Sequence, residues 1–172
     1  MILNRLPISR DGYERLRKEL DHLLRSERPK AIKSIEEARG HGDLTDNAEY
    51  QTAREHQGLV EAKIKELQGM LANCQVVEYP RQVPEKVTFG VRVLIEDMDT
   101  GERTTFELVG PYESDIKKGL ISVTSPLGRA LIGKEEGGLA NIQTPGGMRQ
   151  MQVVKIGLGG LDKSPPPEKQ SK

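Results

Sequence analysis

The sequence predicts an α+β protein: an N-terminal long antiparallel α-helical hairpin followed by a small antiparallel sheet with one helix. Three observations carry this reading. Residues from about 10 to 76 place apolar side chains at spacings of three and four, with almost no β-branched runs. Gly40-His41-Gly42 interrupts that stretch where a helix would stop. From about Val76 the texture changes to period-two alternation broken by turn residues.

The first helix takes Ser9 or Asp11 as its N-cap and carries a seam of Leu16, Leu20, Leu23, Ile32, Ile35 and Ala38. Pro29 either kinks it or opens a new turn, because proline costs about 3 kcal/mol inside a helix. The second helix is expected to begin at Asp43, with Val60, Ile64, Leu67, Leu71 and Cys74 as a 4-3-4-3 seam. Two such helices on a short turn run antiparallel, and roughly 30 residues each gives a hairpin about 45 Å long. The seam is uneven. Large Leu and Ile side chains lie near the termini. Ala31, Ser34 and Ala38 face Ala48, Ala53, Gln57 and Gly58 near the turn, which buries little area. The turn end is therefore expected to protrude as a weakly anchored rod.

In the second half, Val87–Ile95 and Arg103–Val109 around Asp99-Thr100-Gly101 read as a β-hairpin. Leu120–Val123 is a further strand. Ser125-Pro126 opens a short helix through Leu131, with serine as cap and proline at the first position. Leu139–Gln143 and Met151–Ile156 flank Pro145-Gly146-Gly147 as a last hairpin. The expected division is 1–78 for the coiled coil, with an acidic tip at 40–50, then 79–158 for the sheet module and 159–172 for a disordered Gly-, Pro- and Lys-rich tail. The Gly157–Gly160 run is read as tail composition.

Composition narrows the function. The 26 basic and 26 acidic residues cancel, so bulk phosphate attraction to nucleic acid, and with it independent sequence-specific DNA binding, is not expected. Aromatics are 3% with no Trp, which argues against a base-stacking platform. A single Cys forbids an internal disulfide and fits a reducing compartment. No apolar run reaches the ~20 residues of a membrane span, so no membrane partner and a cytoplasmic location are expected.

The turn reads Gly42-Asp43-Leu44-Thr45-Asp46-Asn47-Ala48-Glu49-Tyr50. Pattern alone favours Asp43 as a helix cap, with Asp46 in the first turn where an acid suits the helix dipole. Two carboxylates at the end of a rod also make half of a magnesium site, because that ion takes one or two carboxylates and fills its octahedron with water and phosphate. Half a site there requires a partner that owns the other half.

The stretches EARGHGDLTDNAEYQTAREHQG, FGVRV, LISVTSPLGRALIGKEEG and TPGG, in that order, resemble the bacterial Gre transcript-cleavage factors, GreA type, from about Ser9 to Ile156. The resemblance implies a coiled coil followed by an FKBP-like domain. It implies a factor, not itself an enzyme, that binds RNA polymerase in its secondary channel and stimulates cleavage of the 3′ end of backtracked nascent RNA so that elongation resumes. Asp43 and Asp46 match the tip acids that share a Mg2+ ion with the polymerase, and no metal is expected on the chain alone. Arg39 and Arg54 match a basic patch facing the RNA 3′ end, or are solvated residues pairing with Glu36 or Glu55. Asn47, Glu49 and Tyr50 match the supporting tip, Tyr50 also fitting a role as cover for the seam. Thr124, Ser125 and Pro126 match the loop that grips polymerase, and equally a plain helix cap. The family usually has Glu where this chain has Asp46, a side chain shorter by one methylene.

His41 is read as a spacer without a partner, and His22, His56 and Cys74 are given no role. Three other functions compete, of which a freestanding metal hydrolase is disfavoured by the incomplete ligand set. A Gre-like paralogue would occupy the channel and inhibit polymerase without promoting cleavage. A prolyl isomerase would need an aromatic-lined pocket, and residues 81–160 offer only Phe89, Phe106 and Tyr112.

Overall fold

The computed structural model of the chain describes residues 4–42 and 47–160. These form two compact units: Tyr13–Cys74, and the residues up to Gly12 together with those from Gln75 onward.

The helical unit contains most of α1 (Arg10–His22), a π-helical turn at Leu23–Glu27, α2 (Arg28–Arg39) and α3 (Ala48–Asn73). Ser9 is the α1 cap, its hydroxyl accepting from Gly12 N–H at 3.0 Å. The π turn stands immediately before Pro29, and Arg28 N–H donates to the Leu23 carbonyl five residues back. Proline lacks an N–H and crowds the carbonyl four residues earlier, so a widened turn at this point relieves the ladder. It also moves the seam. Counting 3.6 residues per turn from Leu23 places apolar positions at about 27, 30, 34 and 37. One added residue shifts the last three to the observed Ala31, Ile35 and Ala38. Ile32, expected in the seam, is 42% exposed and Ala31 only 1%.

From α3 the seam receives Tyr50, Val60, Ile64 and Leu67, all buried. Ala48 and Gly58, expected to face α2, are exposed, as is Ser34. Beside the π turn, Arg28 grips Glu61 of α3 with two bonds of 2.7 and 2.8 Å. That guanidinium holds the Glu61 carboxyl below the ordinary glutamate range. The α3 helix ends at Asn73, so the helical reading to residue 76 runs three residues too long.

The second unit begins with β1 (Leu6–Ile8), which pairs with β2 (Cys74–Val76). Glu113 anchors this strand, accepting from both the Ser9 N–H (2.9 Å) and the Ser9 hydroxyl. The N-terminal residues therefore belong to the sheet unit, not to the coiled coil as a division at 78 assumes. The main sheet runs β5 (Leu120–Ser122), β4 (Arg103–Val109), β3 (Val91–Asp97), β7 (Gly147–Leu158) and β6 (Leu139–Thr144) in space. The fold class is α+β, but the sheet is mixed: β5 lies parallel to β4. Residues 110–119 form a connection long enough to bring the chain back in the same direction. The helix α4 (Pro126–Leu131) covers a core of Val91, Val93, Ile95, Leu108, Leu131 and Val153. Gly157 and Leu158 complete β7, and Gly159 is buried with its N–H on the Gly90 carbonyl at 3.0 Å. This run is part of the sheet unit, which corrects its reading as tail. Residues 161–172 lie outside the described residues.

Strand β3 alternates strictly, burying Val91, Val93, Ile95 and Asp97 on one face. Asp97 is tolerated there because its carboxylate is fully occupied. It accepts from Asp99 N–H at 2.9 Å, Thr100 N–H at 3.2 Å and Arg149 Nη1 at 2.9 Å. Those donors, the Asp99 amide foremost, outweigh burial and hold the carboxyl below the usual aspartate range. A depressed folded value stabilises above the unfolded pKa and is lost as pH falls through the folded one. Asp97→Asn is therefore expected to destabilise by a constant amount above about pH 5, and the gap to wild type is expected to close below about pH 4. Urea titrations at several pH values measure it.

Candidate functional site

The described ends of the connection between α2 and α3 are held by two backbone bonds, a glycine and the side chain of Asn47. At the end of α2, Gly40 N–H donates to Glu37 O and His41 N–H to Ala38 O, tightening the last turn. Gly42 then adopts φ +129°, a conformation suited to glycine. The chain is described again at Asn47, which is extended and caps α3: Oδ1 accepts from Tyr50 N–H at 3.1 Å. Its Nδ2 donates to the Ala38 carbonyl of α2 at 2.8 Å. One amide thus satisfies both helix ends, which a carboxylate, having no donor, cannot do. This corrects the expectation that α3 starts at Asp43 with that residue as its cap. Asp43 and Asp46 themselves lie outside the described residues.

Tyr50 is buried, as a cover for the seam should be, and the Arg39 guanidinium sits 5.9 Å from its ring centre. Neither Arg39 nor Arg54 pairs with Glu36 or Glu55; among the described residues both guanidinium groups are left without an ion pair and are exposed. His41 is not a bare spacer. Its Nδ1 donates to Glu49 Oε2 at 2.9 Å, across the turn. A cleft of about 550 Å³ opens beside this pair, with Glu37 and His56 on its wall. No sequence periodicity links positions 41 and 49, so the pair could be sought only by asking which residues flank a turn.

Among the described residues, no group of three or more His, Cys, Asp or Glu is placed to hold a metal ion.

The second candidate, Thr124-Ser125-Pro126, leads into α4. Ser125 Oγ accepts from Gly128 N–H at 3.1 Å and donates to the Ser122 carbonyl at 2.6 Å, and Pro126 takes the first helical turn as expected. The Thr124 hydroxyl bonds that of Ser122 at 2.7 Å. Beside this loop is a cavity of about 450 Å³ that the sequence did not announce. Its lining comes from both edges of the sheet, Leu120 and Ile121 of β5 and Ile142 of β6, with Ile116, Pro126, Leu127 and Met151. Among the described residues, no aromatic ring lines it.

Two family descriptions match the chain: Transcription elongation factor, N-terminal, over residues 6–76, and Transcription elongation factor, GreA/GreB, C-term, over residues 82–157. The chain belongs to the GreA/GreB family of transcription elongation factors. Transcription elongation factor GreA of Methylococcus capsulatus is 50% identical over 155 residues, 90% of this chain and 98% of that one. The GreA of Syntrophobacter fumaroxidans is 49% identical over 152 residues, covering 88% and 97%. Among solved structures, the GreA factor homolog 1 (Gfh1) protein of Thermus thermophilus is 30% identical, covering 88% of this chain and 98% of that chain, with a TM-score of 0.41. Within the GreA/GreB family, then, this chain is a transcription elongation factor whose two matched segments fall on the helical hairpin and on the mixed sheet.

Proposed function

We propose that this GreA/GreB-family chain binds RNA polymerase at the secondary channel and stimulates the polymerase to cleave the 3′ end of backtracked RNA. The observation that carries the reading is the near-50% identity to GreA factors over about nine-tenths of the chain. The turn adds physical support, because Asn47 joins the two helix ends on either side of the segment that holds Asp43 and Asp46. In this reading the chain has no turnover of its own and works in the cytoplasm. Asp43 and Asp46 supply carboxylates to a Mg2+ ion held jointly with the polymerase, and the ion supplies an activated water and charge stabilisation. Arg39 and Arg54 offer forked donors to the RNA 3′ end. Thr124, Ser125 and Pro126, already rigid as a helix cap, form the polymerase grip.

The test is direct. Added with magnesium to stalled, backtracked elongation complexes, the protein releases short 3′ RNA fragments, and with free RNA it releases none. If it binds polymerase but blocks elongation without releasing fragments, the channel-occupying inhibitor is the correct reading. Asp46→Glu is expected to raise the release rate several-fold. The added methylene extends the carboxylate by about 1.5 Å, and placement errors of ~1 Å can cost ~100-fold. Single-turnover release rates measure this.

A further inference from the structure

The helix that carries Arg39 reaches it through one extra residue. Between α1 and α2 the chain makes a π turn, with Arg28 N–H bonded to the Leu23 carbonyl five residues back. Each residue turns an α-helix by about 100°, so the extra one rotates everything beyond it by that angle about the axis. With it, Ala31 and Ala38 face α3 and are buried. Arg39, next around the helix, stands 5.9 Å from the centre of the Tyr50 ring. Arg54 follows Tyr50 by four residues and shares its side of α3. Without the extra residue, Lys30, Ser34 and Glu37 would take the seam, and the Arg39 side chain would swing by about 8 Å. Ala31 and Ala38 bury little area, so apolar packing contributes little to holding the angle. A stronger hold stands immediately after the π turn, where Arg28 meets Glu61 of α3 through two bonds of 2.7 and 2.8 Å. A planar fork on a carboxylate restricts the direction of approach, so it constrains the angle of α2 as well as its distance.

We propose that the π turn and the Arg28–Glu61 fork together set the rotational phase of α2, and that this phase brings Arg39 and Arg54 onto one face for the RNA 3′ end. The inference rests on the transcript-cleavage reading above. Arg28 and Glu61 touch no RNA in this scheme; they are positioning residues that act through the angle of α2.

The experiment changes the length of the π turn by one residue in each direction. It reads the nuclear Overhauser contact between the Tyr50 ring and the Arg39 side chain in the free protein, and 3′ fragment release at saturating protein. Deletion of Ser26 together with Pro29→Ala removes the extra residue and the proline that favours it. This variant is expected to keep the contact and to release fragments within about twofold of wild type. One alanine inserted after Ser26 is expected to abolish the contact and slow release at least about tenfold, since the guanidinium is carried away from its site. Glu61→Ala tests the lock in a chain of normal length, so the inference stays testable even where the insertion does not fold. It is expected to slow release about three- to fivefold with polymerase affinity unchanged, and Arg39→Ala is expected to cost less in that background than alone, because both act on the same contact. The inference is overturned if the deletion loses the Arg39–Tyr50 contact, if a folded insertion variant keeps it, or if Arg39→Ala costs the same factor with and without Glu61→Ala. A wild type that shows the contact and the asymmetry between deletion and insertion, yet releases no fragments, overturns the transcript-cleavage reading and leaves the phase assignment standing.

Discussion

Asp43→Asn is expected to lower 3′ fragment release by at least about 100-fold while polymerase binding persists. The substitution keeps size and shape and removes one negative charge. Magnesium is held by anionic oxygens, and an amide oxygen replaces a carboxylate poorly. Deleting a single group that stabilises developing charge typically costs 10²–10³ in rate. Capping would confuse the result if Asp43 held the start of α3, but Asn47 performs that task with bonds to Tyr50 N–H and Ala38 O. The variant should therefore fold with its hairpin intact, and a circular dichroism melt alongside the cleavage assay verifies this. Affinity is expected to hold because the proposed grip, Thr124 to Pro126, lies in the other unit. Equal inertness of wild type and Asp43→Asn, with binding retained, would assign the chain to channel occupancy without cleavage.

What the sequence made legible follows the range of the interactions involved. Ser9 and Ser125 were readable as caps because a cap bonds three residues ahead, and both do so here. The strand Arg103–Val109 and the helix Pro126–Leu131 have the bounds expected from local pattern. The three-residue strands β1 and β2 were not readable, since their pairing joins positions nearly 70 residues apart in a segment too short to show alternation. The parallel β4–β5 contact escaped for the same reason: direction is set by the path of the intervening loop, not by either strand. At the turn, Asp43 and Asn47 are equally good caps by residue type. Only the proximity of the Ala38 carbonyl, which needs a donor, selects Asn47. The reading of Asp43 and Asp46 as tip acids comes from the resemblance and the logic of half a metal site, whereas the His41–Glu49 bond shows only in the fold.

Gly128→Ala is expected to destabilise the sheet unit by about 3 kcal/mol or more, and the reason lies in one close approach. Gly128 occupies the middle of α4, where a Cβ would stand 2.0 Å from the Ser122 carbonyl oxygen and 3.0 Å from its carbon. A flexible side chain would give way at that distance; a strand carbonyl cannot, because Ser122 is held in β5 and its oxygen also receives the Ser125 hydroxyl. Relief demands that α4 lift from the sheet, which opens the core around the fully buried Leu131. Overpacking that forces backbone shifts costs roughly 1–3 kcal/mol, and a clash between main-chain elements belongs at the upper end. For a unit of this size the melting midpoint is expected to fall by roughly 12 °C or more. The same substitution at Gly69 has the opposite sign. That glycine is exposed within α3 and has nothing within 4 Å of the added carbon, so Gly69→Ala is expected to stabilise the helix by about 0.5–1 kcal/mol. Denaturant titrations of the two variants side by side measure the contrast. Polymerase affinity should fall with the first and not the second, because lifting α4 also displaces the loop at Thr124 to Pro126.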